Sequence, residues 1–328
     1  MNECNPYKVC VRSFTFNQAP YITATMDGFC RQQTLFPYIC LIMDDASTDG
    51  EPEVIKQYLL NFFDTEWTKE TNDFYLTFAH HKENKNCYFA VFLLKYNHYS
   101  IKKSKQAYFR EVITEFDYLA QCEGDDYWTD EHKLQKQADA LDANPQATLV
   151  YTNFRTIDSE GNTISRPFIK DFPGRSHSGD NLPTLLRYGN YVMTLTTMYR
   201  HEVLLSEAYK NCSYSIDFNI TLAAALMGDF IYQPEQTGCY RSLENGMVRS
   251  GLQKGVRLIQ DIYRYYAQLV MNGQCKKLSF IQRVHLTILI LMRALKRKDL
   301  QLKKDTFKAS PLSRLLLPIA FIRTKIKR

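Results

Sequence analysis

Two acidic clusters constrain this chain more than any other feature, because each directly follows a largely apolar run. Residues 38–43 precede the acidic cluster 44–50, and residues 118–122 precede the cluster 123–128, which holds three carboxylates within four positions. Short apolar runs that end in polar turns are typical of buried β-strands. Carboxylates this close repel one another and resist burial unless solvent or a cation neutralises them. The pattern therefore predicts two strands whose ends deliver acidic groups to one shared site.

The second cluster has the composition of a cation site. Glu123, Asp125 and Asp126 supply hard oxygen ligands, and Gly124 lies between them. Such oxygens suit a divalent ion that holds a diphosphate, and a glycine lets a ligand approach the backbone closely. Taken alone, either acidic cluster is more typical of a solvated turn than of a site, since Asp and Ser are common turn residues. The hypothesis of a site therefore depends on the two clusters acting together.

The order of predicted elements indicates an α/β protein. We predict strands over 8–14, 38–43, 74–79, 88–95, 118–122, 148–154, 190–199 and 230–232. We predict helices over 20–33, 52–63 (capped by Ser47 or Thr48), 107–114, 133–144 and 217–227. The β-α-β-α opening implies a parallel sheet with right-handed crossovers.

Cysteine usage favours a reduced, cytosolic environment. The nine cysteines are scattered, and no pair has Cys-x-x-Cys spacing. This pattern argues against a disulfide framework and against a structural zinc site. The first residues contain no apolar segment of signal-peptide length, so secretion by that route is not expected.

Charge is distributed unevenly along the chain. Residues 276–328 hold 15 Lys/Arg and two acidic residues, a net charge of +13 within a chain of net charge +6. From about residue 251 the pattern is helical, and the longest uncharged runs fall well short of the ~20 apolar residues that span a bilayer. The segment can be a solvated helix face, a nucleic-acid-binding surface or a membrane-binding surface. Nucleic acid is disfavoured, because no recognisable module for it is present.

Apolar residues among these basic ones favour attachment to the anionic inner face of a membrane, as a peripheral, cytoplasmic protein. They are Leu312, Leu315, Leu316, Leu317, Ile319, Phe321 and Ile322.

Several motifs, in order along the chain, resemble family-2 glycosyltransferases with the GT-A fold. They are residues 15–18, the acidic clusters 44–50 and 123–128, residues 133–137, and the later segments 196–200, 217–218 and 240–241. The resemblance covers about residues 7–250. The segment 123–137 is similar to the metal-binding segment of members that act in bacterial surface-polysaccharide assembly.

The resemblance implies a GT-A fold, in which a mixed, Rossmann-like sheet is flanked by helices, with a helical C-terminal extension. It also implies a hexosyltransferase-like enzyme that uses Mn²⁺ or Mg²⁺ and inverts the anomeric carbon. The donor would be a nucleoside diphosphate sugar, with a UDP-sugar favoured. The acceptor would be a saccharide, with a lipid-linked one favoured, in capsule, O-antigen or exopolysaccharide synthesis.

The resemblance also assigns roles to individual residues. The donor nucleotide would contact Thr15, Phe16, Asn17, Asp44, Asp45, Lys103 and Gly124, and the metal would contact Asp125, Glu123 and Asp126. Asp44 would accept a hydrogen bond from the base of the nucleotide. Asp217 is the candidate general base, and Asp229, which the sequence places in a turn, is the second choice. An Asp that opens a helix can also simply cap it.

Two positions depart from the family pattern. Glu123 stands where the family has Asp, so Asp125 is expected to be the main metal contact. Leu243 stands where relatives often carry His. Both departures keep open an alternative, a non-catalytic protein that binds sugar nucleotides or polysaccharides with the same fold. A nucleotidyltransferase is disfavoured, since no Gly-rich phosphate loop follows the first strand. We expect two domains, a GT-A domain over 1–250 and a basic, membrane-associating helical region over 251–328.

Overall fold

A mixed β-sheet forms the centre of the computed structural model, which describes residues 7–165, 172–212, 217–243, 252–273, 278–309 and 313–326. The strands are β1 (Val9–Thr15), β2 (Tyr38–Asp44), β3 (Phe63–Glu70), β4 (Phe74–His81), β5 (Cys87–Leu94), β6 (Tyr118–Gln121), β7 (Tyr127–Trp128), β8 (Ala147–Ile157), β9 (Thr197–Arg200) and β10 (Asp229–Arg241). Over the described residues the ten strands run in the order β3-β4-β5-β2-β1-β6-β9-β8-β10-β7.

Helices cover both faces of the sheet and continue beyond it. They are α1 (Ile22–Cys30), α2 (Glu51–Phe62), α3 (Gln106–Phe109), α4 (Lys133–Asp142), α5 (Leu182–Tyr188), α6 (His201–Leu205), α7 (Glu207–Lys210), α8 (Asp217–Met227), α9 (Leu252–Met271), α10 (Phe280–Arg297), α11 (Leu300–Ala309) and α12 (Ser313–Ile326). Residues Pro173–Arg175 and Thr194–Thr196 form 3₁₀ turns.

Parallel pairing of the central strands brings the two acidic clusters to one edge. β1 pairs in parallel with β2 and with β6, so Thr15 lies beside Asp44, and Arg12 lies beside Gln121. The carboxyl ends of parallel strands meet at the same edge of a sheet, where open α/β sheets bind ligands. The predicted shared edge is therefore confirmed.

Strand β1 separates two apolar cores. Val9 and Val11 pack on one face with buried residues of α1 and α4, and Cys10 packs on the other face with buried residues of α8 and the C-terminal helices. This alternation follows from the two-residue period of a strand, which sends neighbouring side chains to opposite faces. Burial on both faces explains why the strands at the centre of the sheet are apolar throughout.

Several predicted bounds were wrong, as was the cap predicted for α2, and the strand predicted over 230–232 runs over Asp229–Arg241 as β10. The helix over 107–114 reduces to α3, and the strand over 190–199 reduces to β9, which follows a 3₁₀ turn. Gly50, in a left-handed conformation with φ of 91°, precedes α2 in place of the predicted Ser47 or Thr48 cap. Strand β3 was missed, because it is an edge strand whose residues after Phe63 are exposed on both faces and carry no apolar alternation.

The C-terminal helices pack on the sheet domain through buried tyrosines. The Tyr263 hydroxyl donates to the backbone oxygen of Leu186 in α5 at 2.7 Å, and the Tyr266 hydroxyl donates to that of Asn219 in α8 at 2.9 Å. The predicted domain boundary at 250/251 and the apolar residue Leu312 fall outside the described residues, so the division into two domains stays a prediction. Among the helices that the structure describes, none combines the length and apolar character needed to cross a bilayer.

Candidate active site at the carboxyl edge of the sheet

A buried carboxylate ties the end of β1 to the loop after β2. Glu51, at the start of α2, accepts hydrogen bonds from the Thr15 hydroxyl, from the backbone N–H of Gln18 at 2.9 Å and from the Ser47 hydroxyl at 2.9 Å. Burial raises the pKa of Glu51, and these three hydrogen bonds partly offset that shift. Because one side chain joins three segments, the two strand ends form one rigid unit.

The loop after β1 is held by its own side chains. Asn17 has a left-handed backbone (φ of 55°), and its side-chain oxygen accepts from the backbone N–H of Thr48 at 2.8 Å. The Thr15 side chain is buried, whereas Phe16 is 45% exposed. Of the three predicted nucleotide residues in this loop, Phe16 therefore presents its side chain outward, while the side chains of Thr15 and Asn17 hold the loop in shape.

Asp44 carries an unused acceptor at the end of β2. Its Oδ2 accepts from the backbone N–H of Ser47 at 3.2 Å, while its Oδ1 is buried and has no hydrogen-bond partner among the described residues. Burial raises the pKa of Asp44, and the hydrogen bonds from Ser47 counteract part of this effect. A buried acceptor without a donor is costly, and a ligand N–H would satisfy it.

Asp45, which was predicted to contact the nucleotide, holds a neighbouring loop instead. Its carboxylate accepts from the backbone N–H groups of His98 at 2.8 Å and Tyr99 at 3.1 Å, and it pairs with Lys105 at 2.8 Å. The Lys105 ammonium also lies 5.0 Å from the centre of the Phe14 ring, at the end of β1. The basic residue beside the ends of β1 and β2 is therefore Lys105.

Lys103, the predicted basic residue of this region, points into another cluster. Its ammonium pairs with Asp73 at 2.9 Å and donates to the Tyr96 hydroxyl at 2.6 Å. The hydrogen bond with Tyr96 is the largest cause of a raised pKa of Lys103, and the contact with Asp73 is the next. The structure thus gives Lys103 a role in holding the 96–105 loop, through Asp73 beside the carboxyl end of β5.

Gly124 is required for packing. A Cβ atom at this position would lie 2.2 Å from the Thr15 Oγ1 and 2.5 Å from the Gln18 Oε1. The Gly124 N–H donates to the backbone oxygen of Phe14 at 3.2 Å, and its own oxygen accepts from the Thr25 hydroxyl at 2.9 Å. The glycine therefore lets the acidic loop close onto β1, whereas the sequence predicted that it would make room for a ligand.

Asp126 is a structural carboxylate. It is buried, and its Oδ1 accepts from the backbone N–H of Arg241 at 2.7 Å. The Arg241 guanidinium donates to the backbone oxygens of Asp125 at 3.0 Å and Asp158 at 2.9 Å. Burial raises the pKa of Asp126, and Arg241 lowers it. Asp126 was predicted as a metal ligand, but this partner directs its carboxylate toward the end of β10.

The buried side chain of Lys133 packs against the end of the acidic loop 123–128. The Lys133 ammonium lies 4.4 Å from the centre of the Trp128 ring and donates to Gln137 Oε1 at 2.6 Å. Burial lowers the pKa of Lys133 to about 7. Trp128 is itself buried and donates its indole N–H to the Leu195 backbone oxygen at 2.8 Å. Residues 133–137 therefore pack against the end of the acidic loop and support it in this structure.

The acidic residues that remain are Glu123, Asp125 and Asp217, and the charges of the last two act on Glu123. Burial raises the pKa of Glu123, the negative charges of Asp217 and Asp125 raise it further, and the Arg12 guanidinium lowers it. Burial also raises the pKa of Asp125, which the Gln18 side chain and Arg241 partly offset. The charges of both Asp125 and Asp217 repel that of Glu123, and gathered negative charge of this kind attracts a cation.

The donor set fits a divalent ion that shares its coordination with a ligand. No group of three or more His, Cys, Asp or Glu side chains within the described ranges is arranged to hold a metal by itself. Mg²⁺ and Mn²⁺ are commonly held by one or two carboxylates together with ligand phosphates. Glu123 and Asp125 can supply that protein share of the coordination.

Asp217 opens α8 with one oxygen held in place. Its Oδ2 accepts from the Thr194 hydroxyl at 2.6 Å, while its Oδ1 accepts no hydrogen bond from the described residues. The runner-up, Asp229, begins β10 at the opposite end of α8, about 16 Å along an eleven-residue helix. Asp217 is therefore the residue of this pair that shares an edge with the acidic loop.

Sequence reasoning missed Glu51, Thr194 and Lys105. Glu51 occupies the first turn of a helix, where an acidic residue is common on any surface helix. Thr194 precedes a short strand that the sequence extended too far, and Lys105 lies in a loop with several lysines. The spacing of these residues carries no signal, because their roles arise from contacts across 23 to 60 positions of the chain.

Comparison with known proteins places this geometry in a family. The sequence model of glycosyl transferase family 2 matches residues 13–204. A Mycobacterium tuberculosis protein named "Uncharacterized protein Rv1520" is 30% identical over 240 residues, and so is "Uncharacterized protein Mb1547" from Mycobacterium bovis. The match covers 73% of this chain but 60% of each relative, so the chain spans about three fifths of their length.

Solved structures support the fold. S. aureus TarS, residues 1–349, in complex with UDP superposes with a TM-score of 0.58 at 16% identity, over 97% of this chain and 88% of that one. The complex of the same protein with UDP-GlcNAc gives a TM-score of 0.55, at 16% identity, over 95% and 82% of the two chains. The GT-A fold predicted from the sequence is therefore confirmed, as is the helical C-terminal region.

The packing of Gly124 leads to a stability prediction. We expect Gly124→Ala to lower the free energy of unfolding by about 1–3 kcal/mol, because Thr15 is buried and already engaged by Glu51, and cannot easily yield to an added methyl group. Urea denaturation measures this. Gly174→Ala is the matched control, since a Cβ there meets no atom within 4 Å, and its stability should match that of the native protein. Equal stability of Gly124→Ala and the native protein would show that the contact does not constrain the loop.

Proposed function

We propose that this chain, which belongs to glycosyl transferase family 2, transfers a sugar from a nucleoside diphosphate donor to an acceptor hydroxyl with inversion at the anomeric carbon. One observation carries the proposal. The unpartnered oxygen of Asp44, the carboxylates of Glu123 and Asp125, and the candidate base Asp217 all belong to the same edge of the sheet. Asp44 would bind the nucleobase, Glu123 and Asp125 would hold the ion on the diphosphate, and Asp217 would deprotonate the acceptor.

The nucleotide would occupy the cleft between the ends of β1 and β2. Asp44 Oδ1 would accept an N–H of the nucleobase, which would supply the hydrogen bond that the described residues leave unmade. The exposed ring of Phe16 offers a surface on which a base can stack. We favour a UDP-sugar, since the structural neighbour TarS is described in complex with UDP and with UDP-GlcNAc.

The diphosphate would lie over the acidic loop. A divalent cation, Mn²⁺ or Mg²⁺, would there neutralise the negative charge that develops on the leaving diphosphate. Asp125 and Glu123 would hold that ion, while the Gln18 side chain, which hydrogen-bonds Asp125, would fix the orientation of the carboxylate. Glu123 is longer than Asp by one methylene, so Asp125 is proposed as the principal contact.

Asp217 would act as the general base. With Oδ2 fixed by Thr194, its Oδ1 would take the proton of the acceptor hydroxyl as that oxygen attacks the anomeric carbon. The bond between the anomeric carbon and the diphosphate oxygen breaks as the new bond forms. Attack from the face opposite the diphosphate gives the inverted product.

The role proposed for Asp217 can be tested by removing its basicity alone. We expect Asp217→Asn to lower kcat for acceptor-dependent transfer by about 10²–10⁴-fold, because the amide cannot accept the proton, while the affinity for UDP is retained. The measurement is transfer from a panel of nucleotide sugars with Mn²⁺ present. Asp229→Asn is the control and should transfer at the native rate. Transfer by Asp217→Asn at that rate would refute the assignment, and nucleotide binding without turnover by the native protein would favour a non-catalytic binding protein.

The C-terminal helices would bring the enzyme to a lipid-linked saccharide acceptor, as in capsule, O-antigen or exopolysaccharide synthesis, at the inner face of the membrane. Exposed apolar side chains of α12, namely Leu315, Ile319 and Ile322, recur at i, i+4 and i+7 and so lie on one face of the helix. Exposed Arg314 and Arg323 flank them. An apolar face with basic flanks is the pattern of a helix that lies in the surface of an anionic bilayer.

Vesicle flotation tests this attachment. We expect the protein to float with phosphatidylglycerol vesicles and not with neutral phosphatidylcholine vesicles, and salt should weaken the binding because the basic residues act by charge. Leu315→Ser/Ile319→Ser/Ile322→Ser should abolish flotation. The matched control, Leu35→Ser/Leu60→Ser/Leu205→Ser, removes three exposed leucines elsewhere on the surface and should still float. Loss in both variants, or equal flotation with neutral vesicles, would refute the proposal.

A further inference from the structure

A buried 3₁₀ turn, residues 194–196, holds the candidate base. Leu195 and Thr196 are inaccessible to solvent, and the Thr194 hydroxyl donates to Asp217 Oδ2 at 2.6 Å. A hydrogen bond to one oxygen of a carboxylate also fixes the direction in which the other oxygen points. The direction of Asp217 Oδ1, the oxygen proposed to take the acceptor proton, therefore depends on where this turn lies.

The acidic loop contacts the turn through Trp128. The indole N–H of this residue donates to the backbone oxygen of Leu195 at 2.8 Å. Trp128 is buried, and its ring packs edge-on against Phe29 of α1, with 4.9 Å between the ring centres. It follows Asp126, which is itself fixed at the end of β10, by two positions. A tightly packed side chain of the acidic loop thus supports the residue next to Thr194.

Helix α4 contacts the following residue of the turn through Gln137. The side-chain nitrogen of Gln137 donates to the backbone oxygen of Thr196 at 2.8 Å, while its Oε1 accepts from the Lys133 ammonium at 2.6 Å. Gln137 and Lys133 are both fully buried. Each end of the amide therefore has a protein partner, and the turn is supported at two successive backbone oxygens.

Lys133 determines which way the Gln137 amide faces. An ammonium group only donates hydrogen bonds, so it can pair only with the amide oxygen, and a backbone oxygen can pair only with the amide nitrogen. The Lys133 ammonium also lies 4.4 Å from the centre of the Trp128 ring, whose face attracts a cation. The same lysine thus contacts both of the side chains that support the turn.

We propose that Trp128 and Gln137 are positioning residues for the candidate base, since they hold the turn whose Thr194 hydroxyl orients Asp217. The three contacts are made at successive positions of one turn, so loss of either backbone contact displaces that hydroxyl. A misplacement of about 1 Å near the reacting groups can lower a rate about 10²-fold. This inference rests on the proposed function, because it adds two buried residues to the support of the same reaction.

Two substitutions each remove one backbone contact of the turn. Trp128→Phe deletes the indole N–H but keeps an aromatic ring, and Gln137→Glu keeps an acceptor for Lys133 but places an oxygen opposite the Thr196 backbone oxygen. We expect each variant to lower kcat about tenfold or more. The KM for the donor and the affinity for UDP with Mn²⁺ should stay at their native values, because both substitutions leave the proposed donor and metal contacts in place.

The measurement is release of the nucleoside diphosphate from a panel of nucleotide sugars with Mn²⁺, in which water serves as the acceptor. The water oxygen bonds to the anomeric carbon, its proton goes to Asp217, and the diphosphate leaves. Thr194→Val should lower kcat to a similar extent, because it removes the hydroxyl and keeps the shape of the side chain. Thr194→Ser, which retains the hydroxyl, should recover most of the native rate.

Two comparisons separate positioning from a general loss of structure. Trp128→Phe/Thr194→Val should be no slower than the slower of its two single variants, because both changes act through the same hydrogen bond to Asp217. The matched control is Tyr263→Phe, which removes another buried hydrogen bond to a backbone oxygen, that of Leu186, and should react at the native rate. Where Gln137→Glu does not fold, Trp128→Phe and the Thr194 variants carry the test.

Four results would overturn the inference: a native kcat in Trp128→Phe, multiplied losses in the double variant, an equal loss in Tyr263→Phe, or weaker UDP binding with Mn²⁺ in the turn variants. Failure of the proposed function is distinguishable from these. It would appear as a native protein that binds UDP but releases no diphosphate from any nucleotide sugar of the panel.

Discussion

The close approach of Gly124 to Thr15 holds the acidic loop, with Glu123 and Asp125, against the end of β1. Thr15 ends β1 and is fixed by Glu51, which also holds the Gln18 backbone and Ser47. The acidic loop can close onto this unit only because position 124 has no side chain. Once the loop is closed, its carboxylates stand at the ends of the parallel strands, and the rest of the site is built around them.

The electrostatics of the loop separate structural acids from acids available to a ligand. Asp45 and Asp126 are buried and already have protein partners: Asp45 accepts from two backbone N–H groups and pairs with Lys105, and Asp126 accepts from the backbone N–H of Arg241. Burial raises the pKa values of Glu123 and Asp125, and the negative charges of Asp217 and Asp125 raise that of Glu123 further. Two kinds of acid therefore share one short motif, and hydrogen-bond partners distinguish them better than sequence position does.

The sequence was sufficient for the strands that converge on the site. β1, β2 and β6 are apolar runs, and the helix at Asp217 was predicted with its observed bounds, because packing on both faces of the sheet imposes that composition. It was insufficient for β3, whose exposed polar residues resemble a loop. It also named Lys103 as the basic residue near the ends of β1 and β2. Lys105 lies two positions later, and only the fold turns it toward Asp45.

The central claim is that Asp125 holds a divalent ion beneath a nucleoside diphosphate. Calorimetric titration of UDP into the native protein and into Asp125→Asn, with and without Mn²⁺, tests it most directly. The account predicts that Mn²⁺ raises the affinity of the native protein for UDP by about tenfold or more, and that this dependence disappears in Asp125→Asn. UDP affinity that is unchanged by Mn²⁺ in the native protein, or an equal Mn²⁺ effect in both proteins, would contradict it.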